Sequence, residues 1–97
     1  MRKYLQKIVP SFLAGSEFEQ SATCSVRHGV FYSYSTPVAV RTFDADSRVV
    51  IYITEEKFSK TTSHQCSSIR QLAHSWRLVK QSVIERMAKE ALVKALG

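Results

Sequence analysis

The sequence predicts an α+β fold: a small antiparallel sheet of about three strands packed on a long C-terminal helix. Three observations carry that expectation. Residues 22–58 are rich in β-branched and aromatic side chains and in places alternate apolar with polar, as half-buried strands do. Beyond Thr62, Ile69, Leu72, Ala73, Trp76, Val79, Val83 and Met87 recur on one face of a 3.6-residue repeat, with no Gly or Pro before Leu96. Between the two regions lies a polar joint, Ser59 to Gln65, where the period changes.

Ninety-seven residues suit a single domain, divided here into an N-terminal helix and loop (1–21), a sheet (22–58) and a helical region (62–96). Leu5, Ile8, Val9 and Phe12 predict a short opening helix that Pro10 ends or kinks. Gly15 to Ser21 reads as a loop. Ala22, Cys24 and Val26 alternate with Thr23, Ser25 and Arg27 as a strand, and His28 with Gly29 forms a turn. Within Val30 to Phe43, Pro37 marks an edge, a bulge or a break, because it has no N–H to give a ladder. Asp44 to Ser47 are four turn-compatible residues of a hairpin. Pairing Phe43 with Arg48 places Thr42 opposite Val49, Val40 opposite Ile51 and Val38 opposite Ile53, which gives one apolar face. The other face then mixes Ala39, Arg41, Phe43 and Tyr52, either covered by the N-terminal segment or open for binding.

Thr62 with Gln65 fits a capping box, so the helix is expected to start at Thr62. It is then either continuous to Leu96 or two helices broken near His74 to Arg77. A continuous helix would outrun a three-stranded sheet and leave Val83 to Leu96 for a homodimer contact.

Lys and Arg number 14 against 8 Asp and Glu, a formal charge of +6. Residues 1–8 carry +3 (Arg2, Lys3, Lys7) and residues 69–97 carry +4, so the excess sits at the two ends. That balance favours acidic partners, nucleic acid above all. Two cysteines make no disulfide framework and point to a reduced, cytoplasmic setting. No export signal and no membrane span is expected. Cys24, His28, His64 and Cys66 are the residue types of a zinc site, but their spacing matches no familiar finger, and no metal or other cofactor is expected. Neither a phosphate loop nor a nucleophile elbow occurs, so the protein reads as non-enzymatic. The basic residues of the last helix scatter around its axis and make no groove-reading stripe. The joint, with Lys60, Thr61, Thr62, Ser63 and His64 at a helix N-terminus, is the best anion-binding candidate.

Tyr34, Ser35, Thr36, Pro37, Val38 and Ala39, followed by Ser59, Lys60, Thr61, Thr62, Ser63 and His64, resemble a family of small uncharacterised accessory domains of phages and plasmids. Those domains carry a Tyr-x-Thr-x-Val-Ala strand and a Ser-x-Thr-Thr entry into a helix. The resemblance spans about Phe31 to Leu72; His64 follows Thr62 one residue earlier than in the family pattern. It implies a mobile-element protein that binds nucleic acid or blocks a host factor. The expected contacts are Arg27, Tyr34, Arg41, Lys60, Thr61, His64 and Arg70, on nucleic acid or a nucleoprotein. The alternative is a counter-defence inhibitor acting on a host protein complex.

Overall fold

The structure, a computed structural model, describes residues 3–97, so Arg2 lies outside it. Three helices and six strands follow one another as α1 (Lys3–Leu13), β1 (Phe18–Gln20), β2 (Cys24–Arg27), β3 (Val30–Ser33), β4 (Thr36–Phe43), β5 (Val49–Thr54), α2 (Lys60–Leu72), β6 (Trp76–Val79) and α3 (Gln81–Leu96). The strands form one sheet in sequence order, antiparallel from β1 to β5, with β6 parallel to β5.

This corrects the expected three strands on one long helix. β1 occupies part of the stretch read as a loop, and Val30 to Phe43 splits into two strands. The helical region is α2 and α3 with a strand between them, and the alternative of a simple break near His74 to Arg77 misses that strand too. Trp76, Arg77, Leu78 and Val79 are a β-favouring run. Trp76 and Val79 fall in phase with the helical repeat on either side, which hid the change of period.

The sheet lies between two helical layers. On one face, Leu5, Ile8, Val9 and Phe12 of α1 and Cys66 and Ile69 of α2 bury Cys24, Val26, Phe31, Val38, Ala39, Ile51 and Ile53. Phe12 meets Phe31 edge to face, ring centres 5.5 Å apart. On the other face, Ile84 and Ala88 of α3, with Met87 and Ala91 beside them, cover Val30, Val40, Tyr32, Tyr52 and Val79. The stripe of α3 expected to pair with a second chain is thus occupied by the sheet at Met87 and Ala91. Exposed apolar side chains remain further on, at Leu92, Val93 and Leu96.

Two local devices set the register. Between β3 and β4 the pairing shifts by one beside Pro37, and the extra residue, Val38, shares the α1/α2 core with its neighbour Ala39. In the β4–β5 loop the Asp44 carboxylate accepts from the N–H groups of Asp46 (2.8 Å) and Arg48 (3.0 Å). Arg48 therefore belongs to the loop, and the hairpin closes with Phe43 opposite Val49 and Ala39 opposite Ile53. That is one residue away from the expected pairing. The expected single apolar face becomes two, with Ala39 and Ile51 toward α1 and α2 and Val40 toward α3.

Helix α1 runs through exposed Pro10, and Ala14 N–H donates to the Pro10 carbonyl at 2.9 Å, so this proline neither ends nor starts the helix. Helix α2 begins earlier than the capping box implies. Ser59 is the N-cap, its hydroxyl accepting from Thr62 N–H at 3.2 Å. Thr62 and Gln65 point inward: the Thr62 hydroxyl meets that of Ser33 at 2.8 Å, and Gln65 Nε2 donates to the Thr23 carbonyl at 3.4 Å.

Candidate nucleic-acid interface

Helix α3 starts beside β4, where Gln81 Nε2 donates to the Pro37 carbonyl at 2.8 Å. Its apolar face rests on Val30, Val40 and Tyr52. A cleft of about 310 Å³ opens where α3 leaves the sheet, lined by Ser25, Arg27, Tyr32 and Tyr34 on one side and Ala88, Ala91 and Leu92 on the other.

Strand pairing fixes which side chains share that face. Phe18 lies opposite Arg27 and Gln20 opposite Ser25, while Ser25 also faces Tyr32 across β3. Directly opposed residues of antiparallel strands project to the same side. Phe18, Gln20, Ser25, Arg27 and Tyr32 are therefore one surface, on which Phe18 is 58% exposed.

Tyr34 stands at the end of this surface, 59% exposed and with φ +56° in the tight turn from β3 to β4. A bulky residue rarely adopts a positive φ. Its N–H donates to the Thr23 carbonyl at 2.7 Å, which fastens the turn to β2. At the other end, His28 (φ +51°) and Gly29 (φ +77°) make the two-residue turn from β2 to β3, and positive φ at both central positions matches the right-handed twist of the strands. His28 Nδ1 lies 3.4 Å from Glu17.

Only Arg27 and Tyr34 of the seven expected contacts meet here. Arg41 faces the opposite layer: its Nε donates to the carbonyl of Leu13 at 3.1 Å, its guanidinium lies 5.3 Å from the Phe43 ring centre, and Gly15 packs beside it. It secures the C-terminus of α1. Lys60, Thr61 and His64 lie on α2, which packs on the sheet face opposite α3. Lys60 and His64 are exposed there, but Ser59, Thr62 and Gln65 serve the helix and the core. Arg70 sits 5.9 Å from the Trp76 ring centre, toward the β6 edge.

Sequence reasoning missed Phe18 and Tyr32. The Phe18, Glu19, Gln20 triplet was absorbed into a polar loop, and Tyr32 carried no signal apart from its strand composition.

The four zinc-type residues do not converge. Cys24 and Cys66 are buried in the core under α2, whereas His28 and His64 are exposed, on the β2–β3 turn and on α2. Among the described residues no group of three or more His, Cys, Asp or Glu is placed to hold a metal ion. Burial pushes the Cys66 thiol up to about 11, opposed by nearby Arg70, and burial also raises Cys24. Among the described residues no helix is long and apolar enough to cross a membrane.

Residues 5–86 match the model of a family described as a family of unknown function (DUF8033). No curated protein and no solved structure matches the chain.

Proposed function

This chain belongs to the DUF8033 family, and because that family carries no assigned function we propose from the geometry that the protein is a non-enzymatic binder of single-stranded nucleic acid. The observation that carries the reading is the opposition of exposed Phe18 and exposed Arg27 on β1 and β2, at the margin of the face that α3 covers, with exposed Tyr34 beyond half-buried Tyr32. Unpaired bases present π-faces to aromatic rings, and a cation set among the rings meets the phosphates or stacks in turn. Duplex bases are already stacked and cannot use such rings. The +6 formal charge supplies long-range attraction.

A mobile-element accessory role is part of the proposal and is supported by the two motifs. In the fold they lie side by side: the Tyr34 to Ala39 motif starts in the tight turn, the Ser59 to Thr62 motif caps α2, and Thr62 bonds Ser33 next to that turn. The motif residues build the end of the sheet that displays Tyr34.

The test is anisotropy titration of fluorescent oligothymidylate, oligouridylate and a duplex of equal length over a salt series. Single strands are expected to bind more tightly than duplex, with affinity falling steeply as salt rises. No binding of single strands at low salt, or equal binding of duplex, defeats the proposal.

A further inference from the structure

Strand β6 is the last of the sheet, and its outer edge has the form of a docking site unrelated to the β1–β3 face. The Ser75 carbonyl accepts from Ile51 N–H at 3.0 Å, and the Val79 carbonyl accepts from Glu55 N–H at 2.8 Å. In a parallel ladder alternate residues turn their backbone groups to the partner strand. Ser75, Arg77 and Val79 therefore address β5, while Trp76 and Leu78 turn N–H and C=O outward, with no bonding partner among the described residues. The side chains of this pair lie on the α2 side, 41% and 46% exposed, with Arg70 stacked near the indole. Exposed Leu72 ends α2 a few residues earlier.

We propose that the β6 edge binds an extended, alternately apolar and acidic segment of a partner protein as a seventh strand. The outward amides of Trp76 and Leu78 match a peptide backbone and not a nucleic acid. Specificity follows from the strand's alternation. Residues of the added strand that lie beside Trp76 and Leu78 meet apolar surface, and those beside Arg77, on the other face, meet a cation. His74 to Lys80 contains Arg77 and Lys80 and no acidic residue. Glu55 and Glu56 lie beyond the Val79 end, so the acidic side chains of the partner belong at the Trp76 half. A second copy of this chain is the poorer occupant, because the antiparallel register that pairs Trp76 with Leu78 of the other chain also sets Arg77 against Arg77.

The test uses the full chain and three synthetic octapeptides: alternating Val and Glu, alternating Val and Lys, and the Val–Glu peptide N-methylated along one edge. Trp76 is the single tryptophan, so its fluorescence reports the edge directly. The Val–Glu peptide is expected to give a saturable blue shift, and the Val–Lys and N-methylated peptides to bind at least about tenfold more weakly, a difference of about 1.4 kcal/mol. Leu78→Pro removes an outward N–H and leaves the β5 ladder intact, so it should abolish the shift with the far-ultraviolet circular dichroism unchanged. Should that variant not fold, the N-methylated peptide tests the same bond on the native chain. Absence of a saturable shift, equal binding of all three peptides, or a native dimer that Leu78→Pro dissociates overturns the proposal.

Discussion

The hydroxyls of Ser33 and Thr62, 29 positions apart in the chain, meet at 2.8 Å with both residues buried. This bond joins the end of β3, next to strained Tyr34, to the first turn of α2, and Ser59 Oγ reaches the same Thr62 hydroxyl at 3.2 Å. Removing Thr62 strands the buried Ser33 hydroxyl, whereas removing Ser33 leaves the Thr62 hydroxyl only the longer bond from Ser59. Ser33→Ala and Thr62→Val should each lower stability by about 1–2 kcal/mol in urea denaturation. The double variant should lose less than the sum, because the second change deletes the group the first left unpaired. Full additivity would show that the two hydroxyls do not act together.

Arg41 is held by the Leu13 carbonyl and the Phe43 ring, so its truncation should act on folding and not on binding. Arg41→Ala is expected to destabilise the chain by about 1.5–3 kcal/mol, the range for a hydrogen bond to a charged group. Single-stranded oligonucleotide affinity should stay unchanged. Gly15→Ala should also destabilise: φ is +88° there, and an added Cβ would lie 3.0 Å from the Arg41 guanidinium. If Arg41→Ala lowers affinity while leaving stability intact, the placement of Arg41 in the scaffold is wrong.

What the sequence disclosed tracks how strongly burial patterns each element. Leu5, Ile8, Val9 and Phe12 announce α1 because all of them are buried on one side. Trp76 to Val79 announce nothing, because an edge strand with three exposed residues in four has no burial rhythm to read. The β4–β5 register turned on one Asp44 carboxylate bonding two amides, a choice invisible to apolar counting, and a one-residue slip moves every side chain to the opposite face. The helical stripe through Met87 was visible, but nothing in a stripe says whether a sheet or a second chain covers it. At the candidate site, Arg27 and Tyr34 stood out as a cation and a ring in strand-like sequence. Phe18 did not, since its significance comes from lying opposite Arg27.

The Cys66 thiol should leave a mark on alkaline stability. Its folded value is raised to about 11 by burial, above the ordinary thiol value of 9.0. The unfolded chain therefore releases this proton first. The neutral-thiol contribution is complete below pH 9 and is lost as pH rises from there through about 11, amounting to about 2–3 kcal/mol. Cys66→Ala should be less stable at pH 7 through lost packing, yet show a shallower decline between pH 9 and 11 than the native chain. Parallel declines in the two proteins would show that the thiol ionises as readily folded as unfolded.

The roles assigned to Phe18, Arg27 and Tyr34 separate in the salt dependence of oligothymidylate binding. Arg27→Ala removes one phosphate contact, so the slope of log affinity against log salt should become shallower by about 0.7, the value for one contact on a single strand. Phe18→Ala and Tyr34→Ala remove stacking, which involves no counterion. Each should weaken binding by about 1–3 kcal/mol with the slope unchanged. Lys60→Ala and His64→Ala, on the helix that covers the opposite sheet face, should alter neither quantity beyond the small effect of net charge. A slope that falls as much for Lys60→Ala as for Arg27→Ala would move the interface to the N-terminus of α2 and away from β1 and β2.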